Sequence, residues 1–318
     1  MNLTAKITFA LFLGLTPASC LITNKNESKK GQQGTHAELI SSNSTPRNVE
    51  TFAPPLEERI PTRIPLWNDQ MKEGNADLGD AYITIHKPSN PNGMAIIVCP
   101  GGGYSLLALE PEGYNIAKWL NSKNITAIVL EYRLPAGKKE VPLQDARRAI
   151  QYARHNSEAL EIADNKIGVM GFSAGGHLAV TLGTHHDFDT LNLNDDIDLE
   201  SARPDFMVLI YPVISMGTWG HPSSRNQLLG PDQEQDTIDF YSGEKNIDAA
   251  TPPVFLAHAV DDKAVPIKNS QEFYSEAVQQ NVNAKFIELA YGGHGLNGYN
   301  GPMWDKWQEE SINWLRSL

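Results

Sequence analysis

The sequence is poor in cysteine, has no excess of basic residues and contains no long apolar segment. Its 318 residues include only 2 cysteines, too few for a disulfide framework or a cysteine-rich zinc site. Lys and Arg total 26 against 38 for Asp and Glu, which gives a formal net charge of −12. Proteins that bind nucleic acid need a basic surface facing the phosphates, so this balance predicts no nucleic-acid partner.

The first twenty residues are typical of an export signal. One lysine, an apolar run over residues 7–15 and small residues precede Cys20, and the run is shorter than the roughly 20 residues of a membrane-spanning helix. Cys20 resembles the lipid-attachment cysteine of bacterial lipoproteins, although Pro17 stands where such signals usually carry an aliphatic residue. We therefore expect residues 1–20 to be a lipoprotein-type signal, with ordinary cleavage after Ala18 as the alternative. The protein would then be an envelope lipoprotein, touching the membrane only through this anchor, or else periplasmic or secreted.

Beyond the signal, composition divides the chain into a tether and a folded domain. Residues 21–55 are mostly polar and cannot bury enough apolar surface to offset the entropy of ordering them, which predicts a flexible tether. The whole chain is 41% hydrophobic and 20% charged, which is ordinary for a globular protein, and we place the catalytic domain at residues 56–318. If Cys20 is acylated or removed, Cys99 has no disulfide partner and is expected to be a small buried hydrophobe.

Within the domain, short apolar runs alternate with segments of helical period. The runs are Ala81–Ile85, Ala95–Cys99, Ala127–Glu131, Ile167–Met170, Phe206–Tyr211, Val254–Ala259 and Lys285–Leu289. Several are continuously apolar, as in strands of a mostly parallel sheet that is covered on both faces. The alternation predicts an α/β fold, a three-layer sandwich with helices on both faces of the sheet. In such sheets ligands bind beyond the carboxyl ends of the strands.

A serine in a glycine-rich turn follows the fourth run. Ser173 is the serine of Gly171-Phe172-Ser173-Ala174-Gly175, a G-x-S-x-G motif placed between an apolar strand and an Ala/Leu-rich helix. In that context the motif predicts a strained turn that exposes the hydroxyl at a helix N-terminus. We therefore interpret Ser173 as a nucleophile.

Two later strand ends supply an acid and a base for this serine. A serine hydroxyl is a poor nucleophile and needs a base that an acid orients. Asp261 and Asp262 follow the run at 254–259, and His294 follows the last run among glycines. This chain order of serine, acid and histidine is that of α/β-hydrolases. The residues themselves leave the choice between Asp261 and Asp262 open.

Three glycines follow the second run, after Pro100. Glycines at a strand end leave backbone N–H groups uncovered, so that they can face a developing oxyanion. We expect Gly102, Gly103 and the N–H of Ala174 to be the donors, although which of the three glycines contributes stays open. Lipases and esterases carry His-Gly-Gly-Gly at this place, and this chain has Pro100 in the position of that histidine.

Together these motifs resemble the α/β-hydrolase superfamily, particularly its bacterial carbohydrate-esterase branch of acetylxylan esterase-like proteins. In that branch the acid precedes Val-Pro as D-x-x-V-P, a pattern that Asp262 fits and Asp261 misses by one residue. The resemblance extends to residues 109–113, 131–135 and 217–230. It implies an α/β-hydrolase fold and a serine esterase that uses Ser173, Asp262 and His294 without a cofactor.

The resemblance and the expected export together imply acetyl esters of xylan or its oligosaccharides as substrates. Feruloyl esters and small generic esters come next. Tyr104, which follows the glycines, and Trp219, in the loop at 215–243, are expected to bind the substrate.

Two other classes of protein and one metal site have weaker support in the sequence. A prolyl-oligopeptidase-like peptidase would need a propeller domain for which the chain is too short. A non-catalytic carbohydrate-binding protein on this fold would usually lack one member of the triad. His185, His186 and Asp187 suggest metal ligands, but neighbours on a helix point in different directions and zinc needs further ligands, so no metal is expected.

Overall fold

The structure, a computed structural model, describes residues 61–67, 80–187, 195–231 and 233–318. The expected signal at residues 1–20, the lipid site at Cys20 and the expected tether at 21–55 lie outside these ranges. Among the residues that are described, no helix has the length and apolar character needed to cross a membrane.

One sheet organises the described residues. Its strands are β1 (Thr62–Pro65), β2 (Tyr82–His86), β3 (Gly93–Cys99), β4 (Thr126–Glu131), β5 (Ile162–Phe172), β6 (Met207–Ile210), β7 (Val254–Ala259) and β8 (Ala284–Leu289). Their order across the sheet is β1-β2-β4-β3-β5-β6-β7-β8. β1 and β2 pair antiparallel at one edge, and β3 to β8 run parallel, so the carboxyl ends of β3 to β8 lie along the same side.

Helices connect the strands and cover the sheet. They are α1 (Asn115–Asn121), α2 (Val141–His155), α3 (Ser157–Leu160), α4 (Ser173–Thr184), α5 (Pro222–Leu229), α6 (Gln235–Phe240), α7 (Lys268–Gln279), the single turn α8 (Leu296–Tyr299) and α9 (Pro302–Leu315). Apolar residues of α2, α4 and α7 pack in one core, and those of α1 and α9 pack in a second core on the other face.

Strand β3 shows how one apolar run contributes side chains to both cores. Ala95, Ile97 and Cys99 belong to the core of α2, α4 and α7, whereas Ile96 and Val98 belong to the core of α1 and α9. Side chains alternate across a strand, so a continuous apolar run is what a doubly covered strand requires. Cys99 is a free, fully buried thiol, which confirms its interpretation as a small core residue.

The observed strands match the predicted runs closely, with two differences. β5 begins at Ile162, five residues earlier than predicted, because its first half is polar and largely exposed and carries no apolar signal. β1 was not predicted, since it is a short, mostly exposed edge strand that ends in a proline. The three-layer α/β arrangement predicted from the sequence is confirmed.

Candidate active site

The turn between β5 and α4 holds Ser173 in a strained conformation. Phe172 ends the strand and Ser173 begins the helix with φ 51°, in the left-handed region. The glycines on either side of Ser173 are required because a Cβ at either position would clash with the backbone. A Cβ on Gly171 would lie 2.2 Å from the carbonyl oxygen of Gly175, and one on Gly175 would lie 2.1 Å from that of Cys99. The turn therefore packs directly on the end of β3.

Ser173, His294 and Asp262 form a continuous hydrogen-bonded chain. Nε2 of His294 lies 2.9 Å from Oγ of Ser173, and Nδ1 lies 2.7 Å from Oδ2 of Asp262. A carboxylate accepts the Nδ1 proton, which leaves Nε2 free to accept the serine proton. These are the three residues that the sequence motifs single out, and they come from the ends of β5, β7 and β8.

The carboxyl group of Asp262 is held ionised by its surroundings. Its Oδ1 accepts hydrogen bonds of 2.9 Å from the backbone N–H groups of both Ala264 and Val265, and Nε2 of His258 lies 3.3 Å from its Oδ2. Burial raises the pKa of Asp262, but the hydrogen bonds from His258 and His294 outweigh this effect and hold the pKa well below its ordinary value. A charged acid is what His294 needs in order to keep its tautomer.

Asp261 has a different partner. Its Oδ1 accepts a hydrogen bond of 2.8 Å from the backbone N–H of Gly293, and its Oδ2 one of 3.3 Å from that of Gly292. The structure thus brings Asp262 to the imidazole and uses Asp261 to hold the glycine loop that precedes His294.

The loop after β3 presents two unpaired N–H groups. The N–H of Gly101 is taken, because it donates to Oε2 of Glu112 at 2.6 Å. Within the described part of the chain, nothing accepts a hydrogen bond from the N–H of Gly102 or Gly103. Their φ angles, 131° and 64°, favour glycine at both positions. Of the three glycines left open by the sequence, Gly102 and Gly103 are therefore the available donors.

The N–H of Ala174 is the third predicted donor. It lies in the first turn of α4, where helix geometry leaves backbone N–H groups without a partner inside the helix. The helix dipole adds a partial positive charge at the same place. Ala174 directly follows Ser173 in the chain, so its N–H lies beside the nucleophile.

The two residues expected to bind substrate have different positions. Tyr104 is only 2% exposed, and its hydroxyl lies 2.8 Å from Nδ1 of His177. Its expected contact with substrate is wrong, because the ring packs in the core behind the glycine loop. Trp219 is partly exposed, with Nζ of Lys268 located 4.9 Å from its ring centroid. Its substrate contact stays a prediction.

His221 lies near the triad and was given no role by the motifs. Its Nδ1 accepts a hydrogen bond of 3.3 Å from the N–H of Ser224 and so caps α5, which leaves the proton on Nε2. Among the described residues none hydrogen bonds to that Nε2. Burial lowers the pKa of His221, His294 lowers it further and Asp262 opposes this shift. The histidine therefore presents a neutral N–H donor near the triad. In the sequence, the pattern His-Pro-x-Ser could have indicated that this histidine caps a helix.

Glu112 is the second residue that the motifs missed. It is a buried acid between a proline and a glycine in the turn Glu110–Tyr114, and nothing in that local pattern indicates burial. Its hydrogen bond to Gly101 ties it to the loop of unpaired N–H groups. No three His, Cys, Asp or Glu side chains come together as a metal site in the ranges that the structure covers.

This arrangement has relatives among known proteins. Residues 83–277 match the family pattern named BD-FAE. The chain belongs to the BD-FAE family. This BD-FAE chain is 33% identical over 252 residues to the acetylxylan esterase of Xylanibacter ruminicola, which covers 76% of this chain and 49% of that protein. It is 32% identical over 218 residues to endo-1,4-beta-xylanase B of Butyrivibrio fibrisolvens, which covers 67% of this chain and 34% of that one. The chain thus spans half or less of these curated relatives.

Solved structures share the fold of the BD-FAE chain. An acetyl ester-xyloside bifunctional hydrolase from Caldicellulosiruptor lactoaceticus has a TM-score of 0.75 at 36% identity, over 80% of this chain and 96% of that one. A carboxylesterase from Lactobacillus plantarum has a TM-score of 0.63 at 24% identity, over 75% and 93% of the two chains, a likeness of fold alone. The predicted α/β-hydrolase fold is confirmed.

Proposed function

We propose that this BD-FAE chain is a serine esterase that works through an acyl-enzyme. The observation that supports it best is the hydrogen-bonded chain from Ser173 through His294 to Asp262, placed beside unpaired backbone N–H groups. Nucleophile, base, orienting acid and oxyanion donors are the parts that acyl transfer to and from a serine needs.

The first half of the reaction follows from the hydrogen bonds. Oγ of Ser173 attacks the ester carbonyl carbon while its proton passes to Nε2 of His294. Asp262 stabilises the imidazolium that results. The N–H groups of Gly102, Gly103 and Ala174 bind the negative oxygen, and each such donor lowers the barrier by about 3 kcal/mol. His294 then protonates the leaving alcohol, and the acyl group stays on Ser173.

The second half repeats these steps with water. His294 takes a proton from water, whose oxygen attacks the acyl carbon, and the tetrahedral species collapses to the free acid and the serine hydroxyl. The net change is one ester and one water to one acid and one alcohol. The residues need no metal or cofactor for any of these steps.

The substrates that we propose are acetyl esters on xylan or its oligosaccharides. The relatives at 33% and 36% identity, named for acetylxylan and for acetyl ester-xyloside hydrolysis, support this choice. We place the alcohol part of the ester beside Trp219 and the neutral Nε2–H of His221. Xylose hydroxyl and ring oxygens are acceptors for such a donor.

The test is acetate release from acetylated xylan, measured beside 4-nitrophenyl acetate hydrolysis, with Ser173→Ala as the control for both. Serine-dependent release from both substrates is the expected result. Turnover of the small ester alone would keep the mechanism and remove xylan as the substrate. Activity retained by Ser173→Ala would remove the proposed nucleophile.

We also propose that the protein is exported and lipid-anchored at Cys20, a proposal that rests on the sequence of residues 1–20 alone. Labelled palmitate fed to expressing bacteria is expected to enter the wild-type protein and not the Cys20→Ala variant. An unlabelled wild-type protein with its N-terminus at residue 19 would instead support ordinary cleavage after Ala18.

A further inference from the structure

Glu112 is a deeply buried acid that the triad does not include. It is 3% exposed and lies in the π-helical turn Glu110–Tyr114, between the glycine loop and α1. A carboxyl group is rarely buried to this degree unless its oxygens are paired, because the charged form loses its hydration. The partners of Glu112 therefore indicate what it does.

Two hydrogen-bond donors converge on this carboxyl group, and a third group interacts with it through its charge. Oε2 accepts the N–H of Gly101 at 2.6 Å, and Oε1 accepts the hydroxyl of Tyr211 at 3.0 Å. The hydroxyl of Tyr299 interacts with it electrostatically. An ionised carboxylate accepts both hydrogen bonds, whereas a protonated one would turn one of its oxygens into a donor.

Gly101, Tyr211 and Tyr299 each belong to a different part of the active site. Gly101 begins the loop that presents the N–H groups of Gly102 and Gly103. Tyr211 follows β6, and its ring packs edge-on against the imidazole of His294, with 4.9 Å between the ring centroids. Tyr299 ends the turn α8 that follows His294. One buried carboxylate thus links the oxyanion loop to two elements that contact or carry the base.

The backbone behind His294 needs such an anchor. Leu296, Asn297 and Tyr299 have φ angles of 48°, 60° and 66°, and Tyr211 has 38°. Left-handed backbone costs about 1–2 kcal/mol for a residue with a Cβ, with asparagine as the exception. Strained residues of this kind persist where surrounding contacts hold them. The hydrogen bond from Tyr211 to Glu112 and the electrostatic interaction between Glu112 and Tyr299 are contacts of that kind.

We propose that Glu112 is a positioning residue for the esterase reaction: its carboxylate orients the oxyanion loop through Gly101 and holds the imidazole of His294 in line with Ser173 through Tyr211 and Tyr299. This inference rests on the proposed function. It adds a second buried acid to the site, one that acts on the base through its neighbours instead of by direct contact.

The charge of Glu112 also acts on the reaction. His294 and Glu112 interact electrostatically, so a negative Glu112 favours the imidazolium that forms in the transition state. Burial raises the pKa of Glu112, while the bonds from Gly101 and Tyr211 partly oppose this shift. The titratable groups around it are Tyr132, Tyr211, Tyr299 and His294. As pH falls, Glu112 therefore loses its charge earlier than an ordinary glutamate does.

The test compares Glu112→Gln with Glu110→Gln, a matched change at an exposed glutamate two residues away in the same turn. A glutamine side chain can keep the bond from Gly101 through its oxygen and donate to a tyrosine hydroxyl, so it removes the charge with little change in shape. The readouts are thermal unfolding and the rate at which a fluorophosphonate probe modifies Ser173, followed by intact mass from pH 5 to 8. The probe needs an activated serine and an oxyanion hole and does not depend on the ester substrate.

The expected result separates activity from stability. In Glu112→Gln the modification rate falls about tenfold to a hundredfold, its acid-side pH dependence loses up to one proton, and the unfolding temperature does not fall. Glu110→Gln matches the wild type. Equal rates and pH profiles in the wild type and Glu112→Gln would overturn the positioning role, as would a rate loss that merely follows a lower unfolding temperature. A wild-type Ser173 that does not react would overturn the proposed function itself.

Discussion

The two sides of the parallel sheet differ in where the backbone is strained. At the carboxyl ends, left-handed φ angles occur at Tyr104, Ser173, Tyr211, Leu296 and Tyr299, and in each of these residues the Cβ disfavours this conformation. At the amino ends, they fall mainly on asparagine or glycine, as at Asn124, Asn281 and Gly93, with Glu161 as the exception. Asparagine and glycine tolerate this conformation where helices end and strands begin. The costly strain is therefore concentrated on the side that holds the triad.

Two cavities lie on the amino side of the sheet. A cavity of about 380 Å³ lies between α1 and α9, lined by charged and polar groups that include Lys123 and Arg316. A second one of about 190 Å³ lies beside it at the amino ends of the strands and shares both of those residues. Neither contains a residue of the triad. Convergent polar groups on strained backbone therefore mark the reactive site, and the volumes of these two cavities do not.

The largest expected difference between the two sides is in catalysis. Ser173→Ala should lower kcat for 4-nitrophenyl acetate at least about a thousandfold, because the acyl-enzyme can no longer form. Arg316→Ala, in the amino-side cavity, should keep kcat within about twofold. Steady-state kinetics and thermal unfolding of both variants make the comparison. A similar loss in Arg316→Ala with an intact fold would move the site to the other side.

Glycine substitutions should show the next largest difference, in stability. Gly175→Ala should lower the free energy of unfolding by at least about 3 kcal/mol, since its Cβ would lie 2.1 Å from the carbonyl oxygen of Cys99. Gly93→Ala has open space around its Cβ, so it should cost only the strain of its left-handed φ, about 1 kcal/mol. Urea unfolding measures both changes. Equal losses would mean that the contact with β3 is not what requires glycine at 175.

A smaller effect concerns acid stability behind the serine turn. His177 is buried, with Nε2 2.7 Å from the carbonyl oxygen of Tyr241. Burial lowers its pKa to about 4, partly opposed by the bond to Tyr241. Between pH 6.5 and about 4 the unfolded chain binds a proton that the native state does not. The free energy of unfolding therefore decreases as the pH is lowered through this range, by up to about 3 kcal/mol.

Urea midpoints across that pH range test this expectation. His177→Gln should flatten the pH dependence by up to one proton, because glutamine can donate to Tyr241 and accept from Tyr104 without titrating. The exposed His155→Gln should leave the slope as it is in the wild type. A slope unchanged in His177→Gln would assign the acid sensitivity to other groups.

The smallest expected effect is on substrate choice. His221→Asn keeps a side-chain oxygen to cap α5 but shortens the donor that faces the proposed alcohol site. KM for acetylated xylo-oligosaccharides should rise about fivefold, the loss of roughly one hydrogen bond, whereas kcat/KM for 4-nitrophenyl acetate should stay within about twofold. Equal losses on the two substrates would contradict a role in recognising the sugar.

The triad could be predicted from the sequence because parallel strands bring all their carboxyl ends to one side. Ser173, Asp262 and His294 each follow one of the predicted runs, so the topology predicts their approach, while the choice of Asp262 over Asp261 came from the resemblance. Glu112 could not be predicted in this way. Its partner Tyr211 is 99 residues away in the chain, and burial of a lone glutamate depends on packing that no local pattern records. Tyr104 misled for the same reason, since an aromatic residue in a strand-end loop gives no sign of whether it faces the core or the solvent.

The buried thiol of Cys99 allows transient openings at the end of β3 to be measured. It ends the strand directly before the loop that presents Gly102 and Gly103, and burial raises the pKa of its thiol, so it cannot react in the closed protein. A disulfide reagent can therefore modify it only during transient openings of this region, and the modification rate reports their free energy. A ligand that stabilises the active site should lower the rate at which Cys99 is modified. Ligand binding at the active site would then be linked to opening of the core around β3.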